Sequence, residues 1–283
     1  MVANPQKPRS GEIIERIVRC GERLGMSVRV ATEIAEVFHL DLPMAPERDL
    51  AQACDLLIAC GGDGTILYTA RLVAGDPRPI LGVNLGRLGF LAELAPDRVE
   101  EGLTRIRDGH YSIDERMMLA ATVEGSSREL IGLNDIIIAK DNSSRIISIE
   151  LRDGSQWVNT YVADGLILAT PTGSTGYALA AGGPIVTPRV DAIIAAPICP
   201  HSLTVRPMIF GGSTGLDIRV FGAHDSRILL SADAQTPHWP LPSGQTVHVR
   251  RADRRALLLH LETSSYYDIL RQKLHWGVDK SLE

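Results

Sequence analysis

Asp63 is the residue of this chain whose surroundings speak most directly of chemistry. It stands in Gly61-Gly62-Asp63-Gly64-Thr65, a run in which glycine permits positive φ and close backbone approach. The six residues before it, Asp55-Leu56-Leu57-Ile58-Ala59-Cys60, read as a buried parallel strand. Those after it, Ile66 to Val73, carry helical apolar spacing, with Thr65 placed to cap the first turn. Strand, glycine turn and helix start form an anion cradle, because N–H groups and the positive helix end converge there. This points Gly61, Gly62, Gly64 and Thr65 to phosphate oxygens. A carboxylate in such a cradle repels its ligand unless it takes a proton or holds a metal. A purely structural glycine turn is the plain alternative.

A second group lies farther along. Tyr161 to Thr170 is an apolar strand carrying one acid, Asp164, and it runs into Pro171-Thr172-Gly173-Ser174-Thr175-Gly176-Tyr177-Ala178-Leu179-Ala180-Ala181-Gly182-Gly183. Small hydroxyl residues and glycines suit a ligand lying against the backbone, and Tyr177 suits stacking on a flat ring. The alternative is a tight turn with Tyr177 packed in the core. Asn134-Asp135 interrupts another apolar run; an adjacent amide and acid can read sugar hydroxyls or bond local backbone as a turn.

The elements that must position these residues fall into two sets. Up to about residue 115, apolar strands and amphipathic helices alternate. Ile13, Ile14, Ile17, Val18 and Leu24 hold helical spacing with Gly25 at its stop, Val28-Arg29-Val30 is a short strand, and Pro79–Asn84 precedes a second glycine turn, Asn84-Leu85-Gly86-Arg87-Leu88-Gly89-Phe90-Leu91. That rhythm predicts a parallel, doubly wound sheet with ligands beyond the carboxyl ends of its strands. Only Met1-Val2-Ala3 precedes the turn-like Asn4-Pro5-Gln6-Lys7-Pro8, so the first strand is expected to be very short or cropped. From Met118 onward the pattern becomes strand after strand, 118–123, 129–139, 146–151, 156–162, 166–169, 216–220, 228–231, 246–250 and 256–261, an antiparallel sandwich. Residues 265–274 read as an amphipathic helix.

Bulk properties set limits. The chain has 283 residues, room for two domains, with 45% hydrophobic and 22% charged residues, ordinary for a globular protein. The net charge of −5 disfavours a nucleic-acid partner. Cys20, Cys54, Cys60 and Cys199 lack metal-ligand spacing and read as reduced core thiols. No leader-like or membrane-spanning run is present in the sequence, so the expectation is a cytoplasmic protein without a membrane partner.

Together these stretches closely resemble the NAD kinase family. The resemblance rests on Asn4–Pro8, Gly61–Thr65, Asn84–Leu91, Leu133-Asn134-Asp135, Asp164 to Gly183, Pro200 to Pro207, Ser231–Gln235 and Leu270–Leu274. It implies an α/β Rossmann-like N-terminal domain (1–115), a β-sandwich NAD-binding domain (116–261), and a C-terminal helix (262–283) returning to the first. It further implies transfer of the γ-phosphoryl of ATP to the 2′-hydroxyl of NAD's adenosine ribose, with Mg²⁺ or another divalent ion arriving on ATP and no dedicated protein metal site. Asp63 then matches the proton acceptor, and Asp63 and Gly64 lie in the nucleotide site. Asn134, Asp135, Arg145, Asp164, Thr172, Thr175, Gly176, Tyr177, Ala178, Leu179, Ala180 and Gln235 match NAD contacts, Arg145 being equally readable as a solvated surface residue. His201 and Arg206 are read as structural. The family's Asp-Gly-Gln is Asp233-Ala234-Gln235 here. The resemblance also implies a homodimer or homotetramer joined through the β domain. The rivals are a lipid or sugar kinase on the same scaffold and a non-catalytic NAD-binding sensor.

Overall fold

The computed structural model describes residues 1–7, 9–86, 89–141, 145–223, 226–261 and 265–276. Pro8, Arg87 and Leu88 of the expected turns, and 262–264 and 277–283 of the expected C-terminal segment, lie outside the described residues. The chain divides into two units, Met1–Asp114 with Leu257 onward, and Glu115–Ala256.

In the first unit the apolar runs pair as a five-stranded sheet in the order Val2–Ala3, Leu57–Gly61, Pro79–Asn84, Ala256–His260, Ser112–Arg116. The first four are parallel neighbours. The opening strand is short, as its two apolar residues require, yet both are buried. Helix Ser10–Arg23 buries Ile13, Ile14, Ile17 and Val18. Gly25, at φ 74°, ends it in a Schellman motif: Met26 N–H donates to Gly21 O at 2.8 Å and Gly25 N–H to Glu22 O at 3.0 Å. Helix Asp63–Leu72 lies so close to the sheet that a Cβ on Gly82 would come within 2.4 Å of Ile66 Cδ1. The final helix, Tyr266–Leu274, starts with a capping box between Ser265 and Asp268 and buries Leu270. Its Lys273 ammonium sits 5.8 Å from the Phe90 ring centroid, so the expected return of this helix to the α/β unit is met.

One boundary moves. Strand Ala256–His260 was expected to finish the sandwich, but it pairs in parallel with Pro79–Asn84, Leu257 opposite Pro79 and Leu258 opposite Ile80. The chain therefore returns at residue 257 and not at 262. Apolar patterning marks a strand without naming its partner.

The second unit is two six-stranded sheets. One runs Gln156–Ala163, Ile147–Asp153, Leu216–Phe221, Thr246–Arg251, Leu119–Val123, Glu129–Gly132; the other runs Met208–Gly211, Ala192–Ile198, Gly165–Ala169, Asp135–Lys140, Ile228–Ala232, Gln235–Leu241. Ile136, Ile138, Leu166 and Leu168 share one buried cluster with Leu119, Ile149, Ile218 and Val249. Ile137, Ile167 and Ala169, one residue out of phase, share another with Ala178 and Ile194. Both faces of that second sheet are thus covered, which is why its strands read as unbroken apolar runs. The expected single strand 129–139 is two strands in different sheets, broken at Leu133-Asn134.

Candidate active site

The Gly61–Thr65 turn is built where three strands of the first unit end. Asn4 N–H donates to Cys60 O at 3.0 Å, and Leu85 N–H donates to Gly61 O at 2.7 Å, so the turns after Ala3, Gly61 and Asn84 are tied together at the carboxyl edge of the sheet. The helix begins at Asp63, with Gly62 as its N-cap and no side-chain cap. Thr65 is therefore not the cap. Its Oγ1 lies against Gly61, where a Cβ would stand only 2.1 Å away. Gly62 has φ −125°, and no glycine of this turn is at positive φ. Close approach, not left-handed backbone, is what demands Gly61.

Asp63 is held by the second glycine turn. Its Oδ2 accepts the Phe90 N–H at 2.8 Å and its Oδ1 the Leu91 N–H at 3.1 Å. Gly89 is required there, because a Cβ would fall 1.9 Å from Asp63 Oδ1. The acid that looked misplaced in an anion cradle thus has its charge met by two amides, with a lone pair left on each oxygen. Lys7 brings an ammonium to the same edge: its Nζ is 3.6 Å from where a Gly86 Cβ would sit. Composition alone had marked Lys7 only as part of a turn.

In the second unit a knot of hydrogen bonds joins three distant segments. Asp233 Oδ1 accepts the N–H groups of Asn134 at 2.7 Å and Asp135 at 3.2 Å, while Oδ2 accepts that of Leu133 at 3.2 Å. On the other side, Thr170 donates its N–H to Asn134 O at 2.8 Å and its hydroxyl to Leu133 O at 2.6 Å. Thr170 Oγ1 accepts the Gly173 N–H at 3.0 Å. Gly173 packs so tightly that a Cβ would overlap Asn134 O at 2.0 Å. The short helical turn Thr172–Thr175 follows, and Thr172 Oγ1 accepts a 3.3 Å bond from the buried Arg116 guanidinium. Arg116 is a residue that motif reading did not single out.

The expected contacts distribute unequally. Asn134, Asp135, Thr172, Thr175, Gly176 and Gln235 gather at this end of the sheet, Gln235 following the hairpin turn that carries Asp233. Tyr177 is 45% exposed, free to stack and not packed in the core. Leu179 is half-buried and Ala180 exposed. Ala178 is fully buried in the cluster on the sheet's outer face, so its side chain supports the segment and does not line it. Asp135 is also withdrawn from solvent, its Oδ1 without a hydrogen-bond partner. Burial first, then the neighbouring Asp233 charge, push its carboxyl up to about 7.

Asp164 lies elsewhere. It precedes strand Gly165–Ala169, whose far end meets Asp135. Five residues at ~3.3 Å each put it roughly 17 Å from the knot. There it pairs with Lys140 at 3.7 Å, and the exposed Arg145 is near the same end, just before strand Ile147–Asp153. A sequence run of twenty residues had read as one pocket; the strand inside it separates its ends. Arg206 closes its own loop through Nη1 to the carbonyls of Leu203 and Val205.

Both units match one family of known proteins. Residues 1–111 fit the ATP-NAD kinase N-terminal domain and residues 133–261 the ATP-NAD kinase C-terminal domain. The chain belongs to the NAD kinase family. The NAD kinase of Magnetococcus marinus is 42% identical over 256 residues, 88% of this chain and 84% of that protein. That of Geotalea daltonii is 37% identical over 279 residues, 97% of each. A yeast NADH kinase crystallised with NADH superposes with a TM-score of 0.92 at 25% identity, covering 100% of this chain and 88% of that one. An Archaeoglobus fulgidus NAD kinase solved with ATP shares the fold, with a TM-score of 0.77 at 22% identity and 97% coverage of each. The chain is thus an enzyme of the NAD⁺ kinase class.

For an NAD kinase the donor set invites one test, that of a divalent ion. Among the described residues no three His, Cys, Asp or Glu side chains are grouped to hold a metal, and the Asp63 carboxylate is already engaged by two amides. Among the described residues no helix is long and apolar enough to cross a membrane.

Proposed function

We propose that this chain transfers the γ-phosphoryl group of ATP to the 2′-hydroxyl of the adenosine ribose of NAD, producing NADP. The observation that carries the reading is the placement of Asp63 at the carboxyl edge of the parallel sheet, its carboxylate pinned by Phe90 and Leu91, in a chain whose two halves match the two ATP-NAD kinase domains. Phosphoryl transfer depends on positioning and charge neutralisation, plus removal of one proton from the attacking hydroxyl. Asp63 takes that proton. Its hydrogen bonds fix the carboxylate's direction while leaving each oxygen an acceptor.

The first-turn N–H groups of helix Asp63–Leu72, with Gly61, Gly62, Gly64 and Thr65, hold phosphate oxygens, and Lys7 adds a positive charge. A divalent ion bound with ATP supplies further neutralisation at those oxygens. Asn134, Thr172, Thr175, Gly176, Tyr177 and Gln235 form the NAD-binding cluster, with Asp135 beneath it; Asp164 and Arg145 stand outside it. The cysteines are free, in keeping with a reducing cytoplasm. We assign a homodimer or homotetramer as the working assembly, which a gel-filtration mass decides.

The test is to incubate the protein with ATP, MgCl₂ and NAD and detect NADP with a strictly NADP-dependent dehydrogenase. NADP formation is expected. NAD binding without NADP would make the protein a sensor, and phosphorylation of a diacylglycerol or a sugar instead would overturn the substrate assignment.

A further inference from the structure

Asp233, like Asp63, is an acid held by main-chain N–H groups. Asp233 is buried and sits at φ 54° in the hairpin turn between strands Ile228–Ala232 and Gln235–Leu241. Three consecutive amides, those of Leu133, Asn134 and Asp135, converge on its two oxygens. Its own N–H donates to Asp135 O at 2.9 Å. An ionised carboxylate accepting several N–H bonds is held by charge-assisted contacts about twice as strong as neutral ones. These contacts fall at the break between two sheets, where Leu133 and Asn134 belong to neither. Thr170 and Gly173 grip the same two residues from the opposite side.

We infer that Asp233 is a positioning residue: acting through the backbone of Leu133–Asp135, it sets the direction in which Asn134 presents its side chain to NAD. It touches no substrate itself. Its partners are nearly a hundred positions away in sequence, and each bond it makes fixes an amide of the segment that ligand recognition uses. The grip on both sides of Asn134 leaves the segment one conformation, so the ordering cost is met before NAD arrives. The inference rests on the NAD-binding role proposed above for Asn134.

The experiment compares the wild type with Asp233→Asn, Asp233→Glu and, from the opposite side of the knot, Thr170→Val. An amide at 233 keeps one acceptor oxygen and turns an NH₂ group toward a main-chain N–H. In Asp233→Asn, KM for NAD is expected to rise about tenfold or more, with kcat and KM for ATP within about twofold of the wild type. Thr170→Val is expected to shift the same constant in the same direction, and Asp233→Glu, which keeps the charge, to recover part of the loss. Hydrogen exchange at the amides of 133–135 is expected to quicken in Asp233→Asn. Parallel loss of all three kinetic constants, or no change in any, would overturn the positioning role. If Asp233→Asn does not fold, Thr170→Val and Asp233→Glu decide the matter by the same split. If the wild type forms no NADP, the functional reading fails by itself, while exchange at 133–135 still reports on the positioning.

Discussion

The Asp63 carboxylate and the main-chain N–H of Phe90 are joined at 2.8 Å, and the neighbouring Leu91 N–H completes the clamp at 3.1 Å. Two glycine turns that are separate in sequence are one structure in space. The first supplies the acid, and the second aims it.

Replacing Asp63 by Asn removes the proposed proton acceptor and turns an amide NH₂ toward one of the two clamping N–H groups. Turnover is expected to fall by at least ~10², the low end for a general base, while NAD affinity measured by calorimetry without ATP stays close to the wild-type value. Near-normal turnover would remove the base assignment.

Gly89→Ala separates aim from chemistry, because it leaves the carboxylate in place chemically. The new Cβ would stand 1.9 Å from Asp63 Oδ1, so the acid must swing away or the turn must open. We expect kcat to drop about tenfold or more, although the carboxylate is still present. A kcat equal to that of the wild type would mean that the clamp has no catalytic weight.

Much of this was legible in the residues. The run 55–60 ended by glycines gave the strand, observed over Leu57–Gly61, and Pro79–Asn84 was read with its observed limits, because buried strands and glycine turns are local signals. The start of the helix at Asp63 was not: Thr65 has the right chemistry for a cap, but the helix starts two residues before it, with Gly62 at the N-cap. The separation of Asp164 from Thr172 was hidden by the strand between them, whose length matters in space and not in a motif. Asp233 was read only as a member of Asp233-Ala234-Gln235, and Arg116 escaped notice, for another reason. Their partners lie 98 to 100 and 56 positions away, and no short-range pattern records a contact of that span.

Ala234 offers a stability test at the same hairpin. It is exposed and sits at φ 52°, directly after Asp233 at 54°, the two positive values that a two-residue hairpin turn requires. Aspartate tolerates that region through its short polar side chain; alanine has no such compensation and carries about 1–2 kcal/mol of strain. Ala234→Gly relieves the strain, offset by roughly 0.5–1 kcal/mol from the more mobile unfolded chain. A net gain on the order of 0.5–1 kcal/mol in urea unfolding follows. A loss of stability would show that the alanine side chain makes a contribution its exposure does not suggest.

The buried acid beneath the proposed NAD-binding cluster gives a pH signature. Asp135 is pushed up to about 7, by burial first and by the Asp233 charge second, against about 3.9 in an unfolded chain. Between those values the folded protein binds a proton that the unfolded chain releases, so this group's favourable contribution is complete below about pH 4 and is lost as pH rises to about 7. Asp135→Asn mimics the protonated acid and does not titrate. Its stability relative to the wild type is therefore expected to climb from pH 4 toward 7, by at most about 1.4 kcal/mol per pH unit, and to level off above that. Urea unfolding of both proteins at pH 5, 6, 7 and 8 measures the difference directly. A difference that stays flat across this range would mean that Asp135 ionises like a surface carboxylate, and that Asp233 holds its three amides with no proton beside it.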